Sequence, residues 1–276
     1  MSAWSGIRSL AMRILGVEGP VLADLSKIDA DLAPTASSQR KNPRLAPVDA
    51  EPIDVLPEYE FVLAAIRGEC PAIFVTGRAG TGKSTLIRFL TEQIEDCAVV
   101  APTAMAAINV HGSTIHSFFS IPSRTMNPDE ACEPRRQIVP VIECLGALVI
   151  DEVSMVTPDL VDCISNTLKK FRRDPRPFGG VPVVFVGDLL QLPPVVSDPE
   201  VAQYYTDRYR SPYFFSADVF HETELVPIEL TKVFRQTGRE FVDMLDKIRL
   251  NDFHREAVAK INRDCYRDRV PNSAPA

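Results

Sequence analysis

Nine residues, Gly77-Arg78-Ala79-Gly80-Thr81-Gly82-Lys83-Ser84-Thr85, constrain this chain more than any other stretch. They fit G-x-x-x-x-G-K-[ST], a phosphate-binding loop, and directly follow the apolar run Ala72-Ile73-Phe74-Val75. Glycines let the backbone curl until successive N–H groups point at phosphate oxygens, and a following helix adds its positive N-terminal end. Leu86, Phe89, Leu90 and Ile94 have the spacing of that helix. The pattern places Lys83 against β- and γ-phosphates and the Ser84 hydroxyl in the shell of a Mg²⁺ ion. A Gly-rich turn that matched by chance would lack both the strand before it and the helix after it.

Apolar runs recur at 72–75, 98–101, 147–150 and 183–186, short, rich in Val and Ile, and without polar alternation. Such runs suit parallel strands covered on both faces. Helical spacing lies between them, as in Leu160, Ile164 and Leu168 after Pro158. The expected fold class is therefore α/β, an open parallel sheet with helices on both faces. With 276 residues and 45% hydrophobic content the chain can bury a sizeable core.

The first fifty or so residues differ from the rest. Trp4, Ile7, Leu10, Ala11 and Ile14 could line a short helix beside Arg8 and Arg13, either a transit-like segment or an ordinary terminal helix. Residues 33–57, rich in Pro, Ser, Ala and charge, read as a linker. No apolar run approaches the ~20 residues that span a bilayer, so no membrane partner is expected. A net charge of −7 excludes holding nucleic acid by bulk charge, though not through a local basic groove. The six cysteines are scattered without a C-x-x-C pair, so neither a zinc site nor a disulfide framework is expected.

A second cluster of chemistry sits at the ends of two apolar runs. Ala147-Leu148-Val149-Ile150 ends in Asp151-Glu152. In a doubly wound sheet the strand carboxyl ends face the ligand, which sets these acids beside the phosphate loop. Asp151 then holds the Mg²⁺ shell, and Glu152 orients or deprotonates an attacking water. The run at 183–186 leads into Gly187-Asp188-Leu189-Leu190-Gln191-Leu192-Pro193-Pro194-Val195, where the Gln191 amide could sense a γ-phosphate. Nucleoside triphosphate hydrolysis is the expected chemistry. No N-K-x-D guanine-reading motif and no L-S-G-G-Q transporter signature occurs.

The ordered motifs resemble those of the superfamily 1 DNA helicases of the PIF/RecD-like group, from about Leu56 to Asn262. The phosphate loop looks like their first motif. Ala101-Pro102-Thr103-Ala104-Met105-Ala106-Ala107, running on to His111-Gly112-Ser113-Thr114-Ile115-His116-Ser117-Phe118-Phe119, looks like the next. Asp151-Glu152-Val153-Ser154-Met155 is similar to the D-E-x-S-M box, Phe178-Gly179-Gly180 with the Gly187–Val195 stretch to the third motif, and Leu230-Thr231-Lys232-Val233-Phe234-Arg235-Gln236 to the fourth.

The resemblance implies a RecA-like P-loop NTPase fold and ATP-driven 5′→3′ translocation on single-stranded or forked DNA, in repair and recombination. It implies that Gly77, Ala79, Gly80, Thr81, Gly82, Lys83, Ser84 and Thr85 bind ATP, with Ser84 and Asp151 on Mg²⁺ and Glu152 as catalytic base. Gln191 and Arg235 would contact the γ-phosphate, and Pro102, Thr103, His111, Thr114, His116 and Phe118 would approach DNA. The basic run 169–173 reads first as a solvated helix end and second as a phosphate contact. The family's upstream adenine-reading Gln is replaced by Glu60, which can accept from the adenine amino group but cannot donate to a ring nitrogen.

The expected organisation is an N-terminal segment and linker at 1–55, a first ATPase domain at 56–229, and the start of a second at 230–276, no late motif following. A separate chain could then supply the second motor domain. The competing expectation is a truncated, non-motor remnant that binds nucleotide or DNA without coupling them. A bacterial-type cytoplasmic location is expected, nuclear or mitochondrial if the source is eukaryotic.

Overall fold

The computed structural model describes residues 53–234 and isolated positions at 247, 255, 258, 259, 262 and 263. The apolar runs become the middle of a six-stranded sheet: β1 (Ala72–Gly77), β2 (Cys97–Ala101), β3 (Ser113–Thr114), β4 (Ala147–Ile150), β5 (Val183–Gly187) and β6 (Val226–Leu230). The spatial order is β3-β2-β4-β5-β1-β6, and every pairing is parallel. All residues of β1, β4 and β5 are buried, as expected for strands with helices on both faces.

Eight helices link the strands among the described residues: α1 (Pro57–Arg67), α2 (Lys83–Gln93), α3 (Ala104–Asn109), α4 (Ile115–Phe119), α5 (Val139–Glu143), α6 (Pro158–Arg172), α7 (Pro199–Tyr209) and α8 (Val219–Glu222). Side chains of β1 alternate between two cores. Ile73 and Val75 meet Tyr59 and Val62 of α1 and Leu86 and Leu90 of α2. Ala72 and Phe74 face the opposite layer, where Val161, Ile164 and Leu168 of α6 pack with Phe178, Phe185, Phe214 and Phe220. Phe185 stacks on Phe214 with ring centroids 5.3 Å apart. Each such ring, fully buried, stabilises the fold by roughly 1.5–3 kcal/mol.

Two strands have no signal in the apolar runs. β3 is only two residues long. β6 contains Pro227, whose missing N–H argues against a strand. It is tolerated because β6 lies at the sheet edge and pairs only with β1 among the described residues. The order has one consequence for function. β5 lies between β1 and β4, so the loops after these three strands open side by side. Residues 1–52 of the expected N-terminal segment at 1–55, and most of 235–276, lie outside the described residues.

Candidate active site

The phosphate loop leaves β1 at Gly77 and enters α2 at Lys83. A Cβ at 77 would lie 2.4 Å from Thr81 Oγ1 and 2.9 Å from Leu230 O, so only glycine fits that turn. Gly82, the N-cap of α2, has φ +95°, a left-handed conformation that glycine adopts without strain. Thr81 is buried and donates its hydroxyl to Arg78 O at 2.9 Å, while Arg78 and Ala79 form the exposed tip. Lys83 Nζ donates to Gly77 O at 2.6 Å and to Arg78 O at 3.2 Å, which holds the cation across the loop mouth. Ser84 is exposed and Thr85 half-buried in the first turn of α2.

At the end of β4, Asp151 is buried, and its N–H donates to Val100 O at 2.8 Å. Burial pushes its carboxyl up to about 6, while a backbone hydrogen bond from Glu152 and the Lys83 charge pull the other way. Glu152 sits at φ 49°, ψ 42°, a left-handed conformation costing a non-glycine residue about 1–3 kcal/mol. The chain then turns through Val153–Met155 against Gly187 of β5.

Between these groups, Asp188 is fully buried and accepts the Leu190 N–H at 3.1 Å. Gln191 is exposed, and its amide leans on Asp188 Oδ2 at 3.4 Å. With the phosphate oxygens of a bound nucleotide, the Asp151 carboxylate and the Ser84 hydroxyl would make an all-oxygen set of the kind Mg²⁺ takes. Asp151 and Ser84 are therefore the residues that would hold it. Glu60 is exposed on α1. Arg235 lies outside the described residues.

The residues expected to approach DNA divide. Pro102 and Thr103 follow β2, Thr114 ends β3 and His116 follows it, all at the same end of the sheet as the phosphate loop. Thr103 and Thr114 cap α3 and α4, accepting the Ala106 and Ser117 N–H groups at 3.2 Å, which leaves each hydroxyl proton free to donate. His116 opens into a cleft of about 350 Å³ with Arg124, Thr157, Val195 and Tyr205. His111 lines a separate cleft of about 650 Å³ along α2, with Arg88 and Thr91. Phe118, 8% exposed, packs in the core against Phe119 at a centroid distance of 4.9 Å and turns its remaining surface to the His111 cleft.

The basic run is mostly tied up within the fold. Lys169 pairs with Glu222 at 2.8 Å, Lys170 with Glu133, and Arg172 caps the carbonyls of Ile142, Glu143 and Gly179. Sequence reasoning passed over Tyr59, which reaches the phosphate loop from α1; its place in the apolar stripe with Val62, Leu63 and Ile66 was the available signal. It also passed over Thr76 and Ser154, whose buried hydroxyls have no hydrogen-bond partner in the structure.

Sheet order, glycine loop and paired acids define a RecA-like P-loop NTPase domain. Residues 58–263 match the PIF1-like helicase family, and this chain belongs to it. It is 38% identical over 201 residues to the ATP-dependent DNA helicase PIF1 of Saccharomyces cerevisiae, covering 69% of this chain and 22% of that protein. The human protein of that name is 33% identical over 198 residues, covering 68% and 28%. A crystal structure of a Bacteroides Pif1 with ADP-AlF3 and single-stranded DNA superposes with a TM-score of 0.71 at 36% identity, covering 79% of this chain and 52% of that one. A Bacteroides Pif1 bound to single-stranded DNA gives 0.72 at 36% identity, covering 82% and 52%. The chain thus spans less than a third of these curated relatives and about half of the solved chains.

Proposed function

We propose that this chain is the nucleotide-hydrolysing domain of an ATP-driven DNA motor that uses Mg²⁺ and engages single-stranded or forked DNA. One observation carries the reading: β1, β5 and β4 are adjacent and parallel, so the segments with Lys83, Gln191 and the Asp151–Glu152 pair leave the same edge of the sheet side by side.

ATP lies with its phosphates along the loop amides and Lys83 against the β- and γ-phosphates. Ser84 and Asp151 would hold Mg²⁺, which would supply positive charge against the phosphate oxygens. A water oxygen bonds to the γ-phosphorus as the bond to the β,γ-bridging oxygen breaks, and Glu152 takes the water proton. ADP and inorganic phosphate leave. Gln191 and Arg235 report the γ-phosphate to the rest of the motor. Thr103, Thr114 and His116 face the strand, hydroxyls to phosphates and imidazole to a base. A second motor domain, on this polypeptide or a partner chain, supplies the far wall of the pocket and its arginine.

The test is ATP turnover with and without an unstructured single strand, in the wild type and in Lys83→Ala. Turnover that the strand stimulates and Lys83→Ala abolishes is expected. Tight ATP binding with no turnover under any condition would overturn the motor reading in favour of a non-motor nucleotide binder.

A further inference from the structure

A buried hydroxyl touches the phosphate loop from outside the motif. Tyr59 on α1 is fully buried, its ring 5.8 Å from Phe89 of α2. Its hydroxyl donates to Gly82 O at 2.8 Å. The same oxygen accepts the Leu86 N–H at 2.8 Å, so two donors fix it. The Gly82 carbonyl and the Lys83 N–H belong to one planar trans peptide and point in opposite directions. Holding the oxygen down toward α1 and α2 aims the Lys83 N–H at the loop mouth, where the amides cradle the α- and β-phosphates.

The contact is close enough to constrain sequence. A Cβ at 82 would lie 2.2 Å from the Tyr59 oxygen, so glycine there serves the tyrosine as well as the positive φ. A second tether holds the loop from the other end of the domain, where the Phe234 N–H donates to Gly80 O at 3.0 Å. Burial, then the charges of Glu58 and Asp54, push the phenol up to about 12, so it stays a donor at any physiological pH.

We propose that Tyr59 is a positioning residue for nucleotide binding, its hydroxyl fixing the 82–83 peptide that receives the β-phosphate. The inference rests on the nucleotide-site reading and adds a residue outside the motif. Tyr59→Phe removes the hydroxyl and keeps the ring.

In the full chain, Tyr59→Phe is expected to weaken ADP and ATP equally, by about 3- to 10-fold, with turnover at saturating ATP unchanged. Lys83→Ala, by contrast, weakens ATP more than ADP because its amine reaches the γ-phosphate. Calorimetric titration at a temperature well below the melting midpoint reads the affinities, and the midpoint is recorded alongside. Wild-type ADP affinity in Tyr59→Phe overturns the proposal, whatever happens to the midpoint. So does a loss confined to ATP. A wild-type chain that binds no ADP overturns the nucleotide-site reading together with this one, which separates the two failures.

Discussion

The phosphate-loop end of the sheet and the outer stripe of α6 solve the same problem, holding irregular chain in place, by opposite means. At the sheet end most bonds stay within the loop: Gly77 and Gly82 permit the turn, Lys83 and Thr81 bond back to carbonyls of their own loop, and Tyr59 and Phe234 reach it from outside. Along α6, side chains of one helix hold a distant loop. Asp159 accepts the Met126 N–H at 2.8 Å, Thr167 accepts the Cys132 N–H at 2.9 Å, and Asn166 donates to Pro128 O at 2.7 Å. Cys163 touches Cys132 with sulfurs 3.4 Å apart, and Lys170 pairs with Glu133. These five positions share one helical stripe. The phosphate loop, held mainly through its own carbonyls, keeps its N–H groups for a ligand, whereas the stapled loop uses its polar groups for the fold.

If that contrast holds, substitutions at the first region remove activity and spare stability, and those at the second do the reverse. The largest effect is expected for Lys83→Ala, a fall in turnover of about 100- to 1,000-fold, some 3–4 kcal/mol. Its urea midpoint should stay close to wild type; a large drop would mean the loop also holds the fold.

Asp159→Ala reverses the pattern. It strands the buried Met126 N–H and the Tyr205 hydroxyl, which donates to the same carboxylate at 3.0 Å. Urea unfolding should show a loss of about 2–4 kcal/mol, with ADP affinity intact.

Asp162 gives a smaller effect that depends on pH. Its carboxylate accepts the Asp218 and Val219 N–H groups at 3.0 Å, yet burial pushes it up to about 6. Because the folded value exceeds an unfolded value of about 3.9, ionisation disfavours the fold. The stability contributed by this site therefore falls as pH rises from about 4 through about 6 and is flat above. Asp162→Asn removes that dependence, so its deficit relative to wild type should shrink by about 1 kcal/mol between pH 5 and pH 7.5. A constant deficit in melts at the two pH values would contradict this.

Lys170→Ala should be the mildest. Its pair with Glu133 is solvent-exposed, and a change beyond about 0.5 kcal/mol in urea unfolding would show that the staple depends on charge.

The same contrast explains what could be read from the sequence. β4 follows its apolar run at both ends, and β1 and β5 run on past theirs into the turns that carry Gly77 and Asp188. Glycine spacing and strand-end acids are local patterns, so the positions of Lys83, Asp151 and Glu152 past the ends of β1 and β4 were legible without the fold. The staple was illegible because Asp159, Asn166, Thr167 and Lys170 read as an ordinary polar helix face until the loop lies on them. His111 and His116 are close in sequence, but the strand between them sends them to different clefts. Phe118 lies mostly in the core, a burial set by packing that its neighbours in sequence do not reveal. Tyr59 was hidden by being buried, which makes a tyrosine look like core.

The most direct test of the central claim, that the ends of β1, β5 and β4 form one hydrolytic site, is phosphate release by Glu152→Gln beside its ATP affinity. The amide keeps the size of the side chain and cannot take the water proton. Wild-type ATP binding with turnover reduced at least about 100-fold is predicted. Wild-type turnover in Glu152→Gln would contradict the assignment of the base, and with it the account of the site.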